Sequence, residues 1–219
     1  VTAPATGLQG PFWRAIAVFR LAALAYVAVL IAGNFNEYAH PVAAWVALGV
    51  MAAWTGFTWW AYAEPARRGW PLLIADLVVT AAIELCSPWV VGREAMDGGA
   101  PTLGVAWLGG PVLAWAVSGG RRRGLVAALI LGVIEVSVRG GANQATTTGA
   151  TLMILAAVAV GHVTRLAVDA ERRLQQAVEL AAATRERERL ARGIHDSVLQ
   201  VLSLVRRRGA DLGGEAGEL

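Results

Sequence analysis

Lysine is absent: all 19 basic side chains are arginine. That pattern reads as the codon usage of a GC-rich genome and not as a binding device. Cysteine occurs once, at Cys86, which excludes an internal disulfide and any cysteine-based zinc site. Charge is scarce: Asp, Glu, Lys and Arg make up 16% of the chain, against about 25% in an ordinary soluble domain. The net charge of +3 is spread over the edges of apolar runs and the region after Arg165, so direct contact with nucleic acid is not expected. The glycine-rich stretch Ser118-Gly119-Gly120 has no P-loop pattern around it. A cleavable secretory signal is not expected either, because the first apolar run is long enough to span a bilayer and contains Arg20.

What is abundant is apolar surface. Hydrophobic residues are 56% of the chain and the mean hydropathy is +0.52, where soluble domains hold about 45–50% apolar residues. Nine tryptophans and 25 glycines point the same way, since both types are frequent in membrane proteins. Six apolar segments can be read, near 12–32, 41–62, 71–91, 101–118, 124–138 and 147–166. Each approaches the roughly 20 residues that a bilayer requires. The fourth and fifth are short and interrupted by glycine.

Arginine sets the expected orientation. Arg14, Arg67-Arg68, Arg121-Arg122-Arg123, Arg165 and Arg172-Arg173 fall in one set of ends, whereas the alternate loops hold only Arg93 and Arg139. By the positive-inside rule both termini are cytoplasmic. The outer loops are short, the longest near 92–100, and leave no room for a folded outer domain. A stimulus is therefore expected to arrive through the membrane, its surface, or a small pocket among the helices.

Within the spans, Arg20, Asp76, Glu84, Glu135 and His162 stand out as ionisable residues away from the arginine-rich ends. Such groups usually face a bundle interior and are functional candidates; the plainer alternative is that Arg20 pairs with one carboxylate and that Glu84 and Glu135 snorkel at helix ends. His40 reads as a loop residue. The tryptophans read as an interfacial belt.

Beyond Leu166 the composition changes to charged residues and strong helix formers. Leu190, Ile194, Val198, Val201 and Val205 recur at helical spacing and form one apolar stripe, with His195 at its flank. Imidazole can act as a nucleophile near neutral pH. Asp196 is placed to take its proton or fix its tautomer, and Gln200, one turn beyond Asp196, to position a water. The Arg/Glu run of 185–192 reads as a solvated helix face.

The run Glu-Arg-Glu-Arg-Leu-Ala-Arg-Gly-Ile-His-Asp-Ser-Val-Leu-Gln at 186–200 resembles the phosphoacceptor box of sensor histidine kinases that act with NarL-type response regulators, E-R-x-R-[IL]-A-R-x-[IL]-H-D-x-x-x-Q. The six-span region, with its Trp13-Arg14-Ala15 start, resembles the actinobacterial MacS-type kinases. Gly193 departs from the subfamily, which often carries an acid there; Gly in a helix costs about 1 kcal/mol relative to Ala. The resemblance implies transfer of the ATP γ-phosphoryl group to His195 and on to a regulator aspartate, with Asp196 as base or orienting group and Gln200 serving dephosphorylation. It also implies a homodimer in a bacterial inner membrane.

The expected fold is all-α: a six-helix transmembrane bundle at 1–166, a cytoplasmic linker helix at 167–184, and the first part of a dimerisation and phosphoacceptor domain at 185–219. ATP and Mg²⁺ are expected to bind a domain not found in these residues, so the chain is expected to be inactive alone: either a piece of a larger kinase, the favoured reading, or a chain phosphorylated by another. Two rivals come from other classes. A small multi-span transporter would explain the intramembrane acids but not the His-Asp-x-x-x-Gln helix. A non-enzymatic membrane scaffold would use that helix only to dock a partner.

Overall fold

The computed structural model describes residues 9–211, with side chains described for 10–190 and 198–208. Every regular element among them is a helix. Two units can be distinguished, Val1–Asp169 and Ala170–Leu219.

Three long helices open the first unit: α1 (Gln9–Gly33), α2 (Pro41–Ala63) and α3 (Trp70–Val90). Proline stands at the first turn of α2 and α3, where its missing N–H would have had no intrahelical partner anyway. A short α4 (Arg93–Asp97) follows, then α5 (Gly109–Gly119), α6 (Arg121–Val138) and the start of α7 (Gln144–Asp211). Four helices, α1, α2, α3 and α7, are long and apolar enough to cross a membrane.

The fourth apolar segment differs from expectation. Only its second half is helical: α5 has 11 residues, about 16 Å at 1.5 Å per residue, half of a bilayer core. Residues 101–108 form turns. The cause is local, since Gly98-Gly99, Pro101, Gly104 and Gly109-Gly110-Pro111 remove helix propensity and, at each proline, a backbone donor. The non-helical stretch is nonetheless packed inside, with Thr102, Leu103, Trp107 and Leu108 buried. Irregular backbone at membrane depth is tolerable only in such protein-covered surroundings.

The loops segregate to two ends of the first unit. At one end Ala39 and His40 donate backbone N–H groups to Val91 and Val90 at 3.1 and 3.0 Å. There Arg93 Nη1 also donates to Val138 O at 3.1 Å and Arg139 Nη1 to Ala100 O at 3.5 Å. At the other end Arg67 lies over Trp60 and Arg123 over Trp70, with the guanidinium carbons 3.8 and 4.4 Å from the ring centres. Gly120 turns the chain between α5 and α6 at φ 74°, a conformation open chiefly to glycine. A side chain there would collide with Arg165 of α7, and one on Gly161 would collide with the backbone of Arg121. Segment 100–120 therefore runs the height of the unit, half as turns and half as helix.

The described part of the second unit is the remainder of α7, exposed except at the half-buried Glu171 and Ala181.

Candidate functional site

A polar cluster sits in the apolar core of the first unit. Arg20 of α1 and Asp76 of α3 form an ion pair with side chains 2% and 0% exposed. Sequence reasoning singled out both residues; the fold brings them together across 56 positions. Asp76 Oδ1 also accepts from Trp54 Nε1 at 2.9 Å, and Oδ2 from the Tyr62 hydroxyl at 3.1 Å. Arg20 Nη1 donates to Thr58 Oγ1 at 3.4 Å, and its guanidinium carbon lies 5.8 Å from the centre of the Trp107 ring. Trp107 Nε1 in turn donates to Thr55 Oγ1 at 3.1 Å. The carboxylate is thus held by three donors, and a buried charge pair survives only with such satisfaction. Trp54, Thr55, Thr58, Tyr62 and Trp107 were not among the expected site residues. Their one sequence signal is a polar group within a long apolar segment.

The tryptophan belt is only partly as expected. Trp45, Trp59, Trp60, Trp70 and Trp89 are exposed, but Trp13, Trp107 and Trp115 are buried. Trp115 Nε1 donates to Leu73 O at 2.9 Å. A buried indole is usually fixed by such a bond.

Glu84 and Glu135 do not snorkel into solvent. Glu84 is 0% exposed and lies against Gly104, where any side chain would strike its carboxylate. Glu135 and Thr102 are its polar neighbours, yet neither Glu84 oxygen has a partner in hydrogen-bonding geometry. Glu135 pairs with Arg139 at 2.9 Å and accepts from Thr102 Oγ1 at 3.3 Å. His40 caps the start of α2, with Nδ1 2.7 Å from Trp89 O and its ring stacked on Trp89. His162 is exposed.

In the second unit the helix runs unbroken through 185–200. Leu190, Val198, Val201 and Val205 are all exposed, so no described residue covers these positions. Gln200 is exposed. The side chains of His195, Asp196 and Ile194 lie outside the described residues. Arg189 and Glu186 approach to 3.8 Å as an exposed i,i+3 pair, an arrangement of little stabilising value.

Among the described residues, an all-helical chain with four helices able to cross a bilayer defines a membrane-type helical protein. A family model described as "Family of unknown function (DUF5931)" matches residues 3–175, and the chain belongs to that family. The match ends before the Arg185–Gln200 box. No curated protein and no solved structure matches the chain.

Proposed function

We propose that this chain is the membrane sensor and phosphoacceptor portion of a two-component histidine kinase. The observation that carries the proposal is the register of Glu186, Arg187, Arg189, Leu190, Ala191, Arg192, His195, Asp196 and Gln200 on a single helix whose apolar stripe is left uncovered. His195 is the nucleophile: a ring nitrogen bonds to the γ-phosphorus of ATP as the bond to the β,γ-bridging oxygen breaks and ADP leaves, and the phosphoryl group then passes to a regulator aspartate with the imidazole as leaving group. Asp196, next in sequence, holds the imidazole tautomer or takes the proton displaced. Gln200 aligns the water that later hydrolyses the aspartyl phosphate on a NarL-type regulator. Among the described residues no group of three or more His, Cys, Asp or Glu is placed to hold a metal ion. ATP and Mg²⁺ would be held by an ATP-binding domain acting with this chain. Acid-labile phosphate formed on this chain in the presence of such a domain tests the reading.

Six crossings with both termini cytoplasmic follow from the arginine asymmetry. The span 100–120 makes the fourth crossing although it is half non-helical. Reporter fusions after Glu37, Asp97 and Gly141 are expected outside, and fusions after Arg68, Arg122 and Arg173 inside. An outside signal at Arg122 would mean that 100–120 does not cross and that only four helices do.

The stripe implies a parallel homodimer, because an exposed apolar row is an association surface that a two-helix seam buries. In a Cys86→Ser background, cysteine at Val198 or Val201 is expected to crosslink in membranes and cysteine at Arg189 to stay monomeric. Equal crosslinking at all three positions rejects a defined seam.

A further inference from the structure

Two buried N–H groups of the first unit have no acceptor: Trp13 Nε1 and Arg20 Nε. Both belong to α1. Their separation of seven residues places them on one face, about 10 Å apart along the axis. Both residues line the same cavity of about 370 Å³ between α1 and α2, within the size range of small-molecule sites. Trp13 is 5% and Arg20 1% exposed. Protein interiors rarely leave such donors unmade, and an unpaired indole N–H on a residue that lines a cavity calls for an acceptor from outside the chain.

The lining fixes the charge of that acceptor. It contains three arginines, Arg14, Arg20 and Arg68, and no Asp or Glu. Asp76 pairs with Arg20 through Nη2, and Arg20 Nε lies against Gly110 of α5, which is outside the lining. Arg68 donates to the backbone carbonyls of Tyr62 and Ala63 at 2.8 and 3.3 Å, and its guanidinium carbon lies 5.1 Å from the centre of the Trp13 ring. Those contacts position Arg68 without neutralising it. Glu64, the acid whose charge acts on Arg68, is outside the lining. Arg14 is exposed at the rim, and Trp59, exposed on the flank, connects the cavity to the surface. The remaining wall is largely apolar, with Ile16 and Ala17 among its residues.

We propose that this cavity binds an anionic, oxygen-rich headgroup, a phosphate or a carboxylate, with Trp13 Nε1 as its fixed donor and Arg14 and Arg68 supplying the charge. The same chemistry comes from a membrane lipid or from a free small acid. Neither source requires phosphotransfer at His195, so the site stands apart from the kinase reading.

The test is native mass spectrometry of the purified chain in mild detergent, titrated separately with phosphatidylglycerol, phosphatidylcholine and glycerol 3-phosphate. One phosphatidylglycerol per chain is expected. Its retention should weaken about tenfold in Trp13→Phe, which keeps the ring and loses one charge-assisted hydrogen bond. It should be unchanged in Trp45→Phe, whose ring is exposed and lies outside the cavity. Glycerol 3-phosphate bound as tightly as the lipid assigns the site to a soluble acid, and weaker binding assigns it to the lipid; both outcomes support the donor set. Phosphatidylcholine bound as tightly as phosphatidylglycerol overturns the proposal, as does retention of neither acid or wild-type affinity in Trp13→Phe. Should Trp13→Phe unfold early, Arg14→Gln at the exposed rim replaces it. A loss of at least about threefold is expected there, since a rim charge contributes electrostatic attraction, and no loss again overturns the proposal.

Discussion

His195→Gln is expected to abolish phosphate incorporation when the chain is supplied with a histidine-kinase ATP-binding domain and radiolabelled ATP. The glutamine side chain keeps a polar group on the helix but offers no nucleophilic nitrogen of comparable strength. Loss should therefore be complete within detection, while helix content by circular dichroism stays the same. Gln200→Ala is the matched comparison: it should label like wild type and fail to speed the loss of phosphate from the partner regulator. Equal labelling of wild type and His195→Gln would remove the phosphoacceptor assignment and leave the helix as a docking element. The two variants separate chemistry from helix integrity, because both change one side chain on the same helix.

Asp76→Ala is expected to be the most damaging single substitution in the first unit. It strands the Arg20 guanidinium in an apolar core and removes the acceptor for Trp54 Nε1 and the Tyr62 hydroxyl. Breaking a buried pair on one side costs about 3–5 kcal/mol. The measurement is unfolding of the purified protein in detergent, followed by near-ultraviolet circular dichroism. A double variant, Arg20→Met with Asp76→Leu, removes both charges and should recover much of the loss. Recovery should stop short of wild type, since the Trp54 and Tyr62 donors remain unpaired at about 1–3 kcal/mol per buried group. An Asp76→Ala protein as stable as wild type would show that the ion pair is not what fastens α1 to α3.

Why these effects were only partly legible in the sequence is a matter of range. The first three apolar segments announce α1, α2 and α3 because hydrophobic length and proline at the helix start are local signals. Arg20 and Asp76 are conspicuous as charges in apolar runs, but their pairing is decided by how α1 and α3 face each other across the bundle. The same holds for Trp107, whose partner Thr55 lies 52 residues away. An indole that belongs to the core has the same letter as one in an interfacial belt. The split of segment 101–118 into turns and an 11-residue helix was signalled by its glycines and prolines, although hydropathy alone merged the two parts. Glu84 stood out as an acid in an apolar run, with burial and snorkelling both open, and nothing near it in sequence marks Gly104 as the neighbour that makes room for it.

The half-length α5 has a consequence for how this protein tolerates change over evolutionary time. On α2, Val42, Val46, Phe57, Trp59 and Trp60 face outward, and one apolar residue can replace another there with little effect. No residue of α5 from Gly109 to Gly119 is exposed. Gly109 and Gly110 already sit where an added methyl would overlap Phe19 and Arg20. Overfilling a packed interior forces side chains off their rotamers and moves backbone, so even alanine or leucine in place of a smaller residue should be selected against along this helix. A saturation library grown under selection for stable membrane expression would show intolerance across 109–119 against tolerance at the outward positions of α2, and the contrast would mirror how completely the bundle encloses this segment.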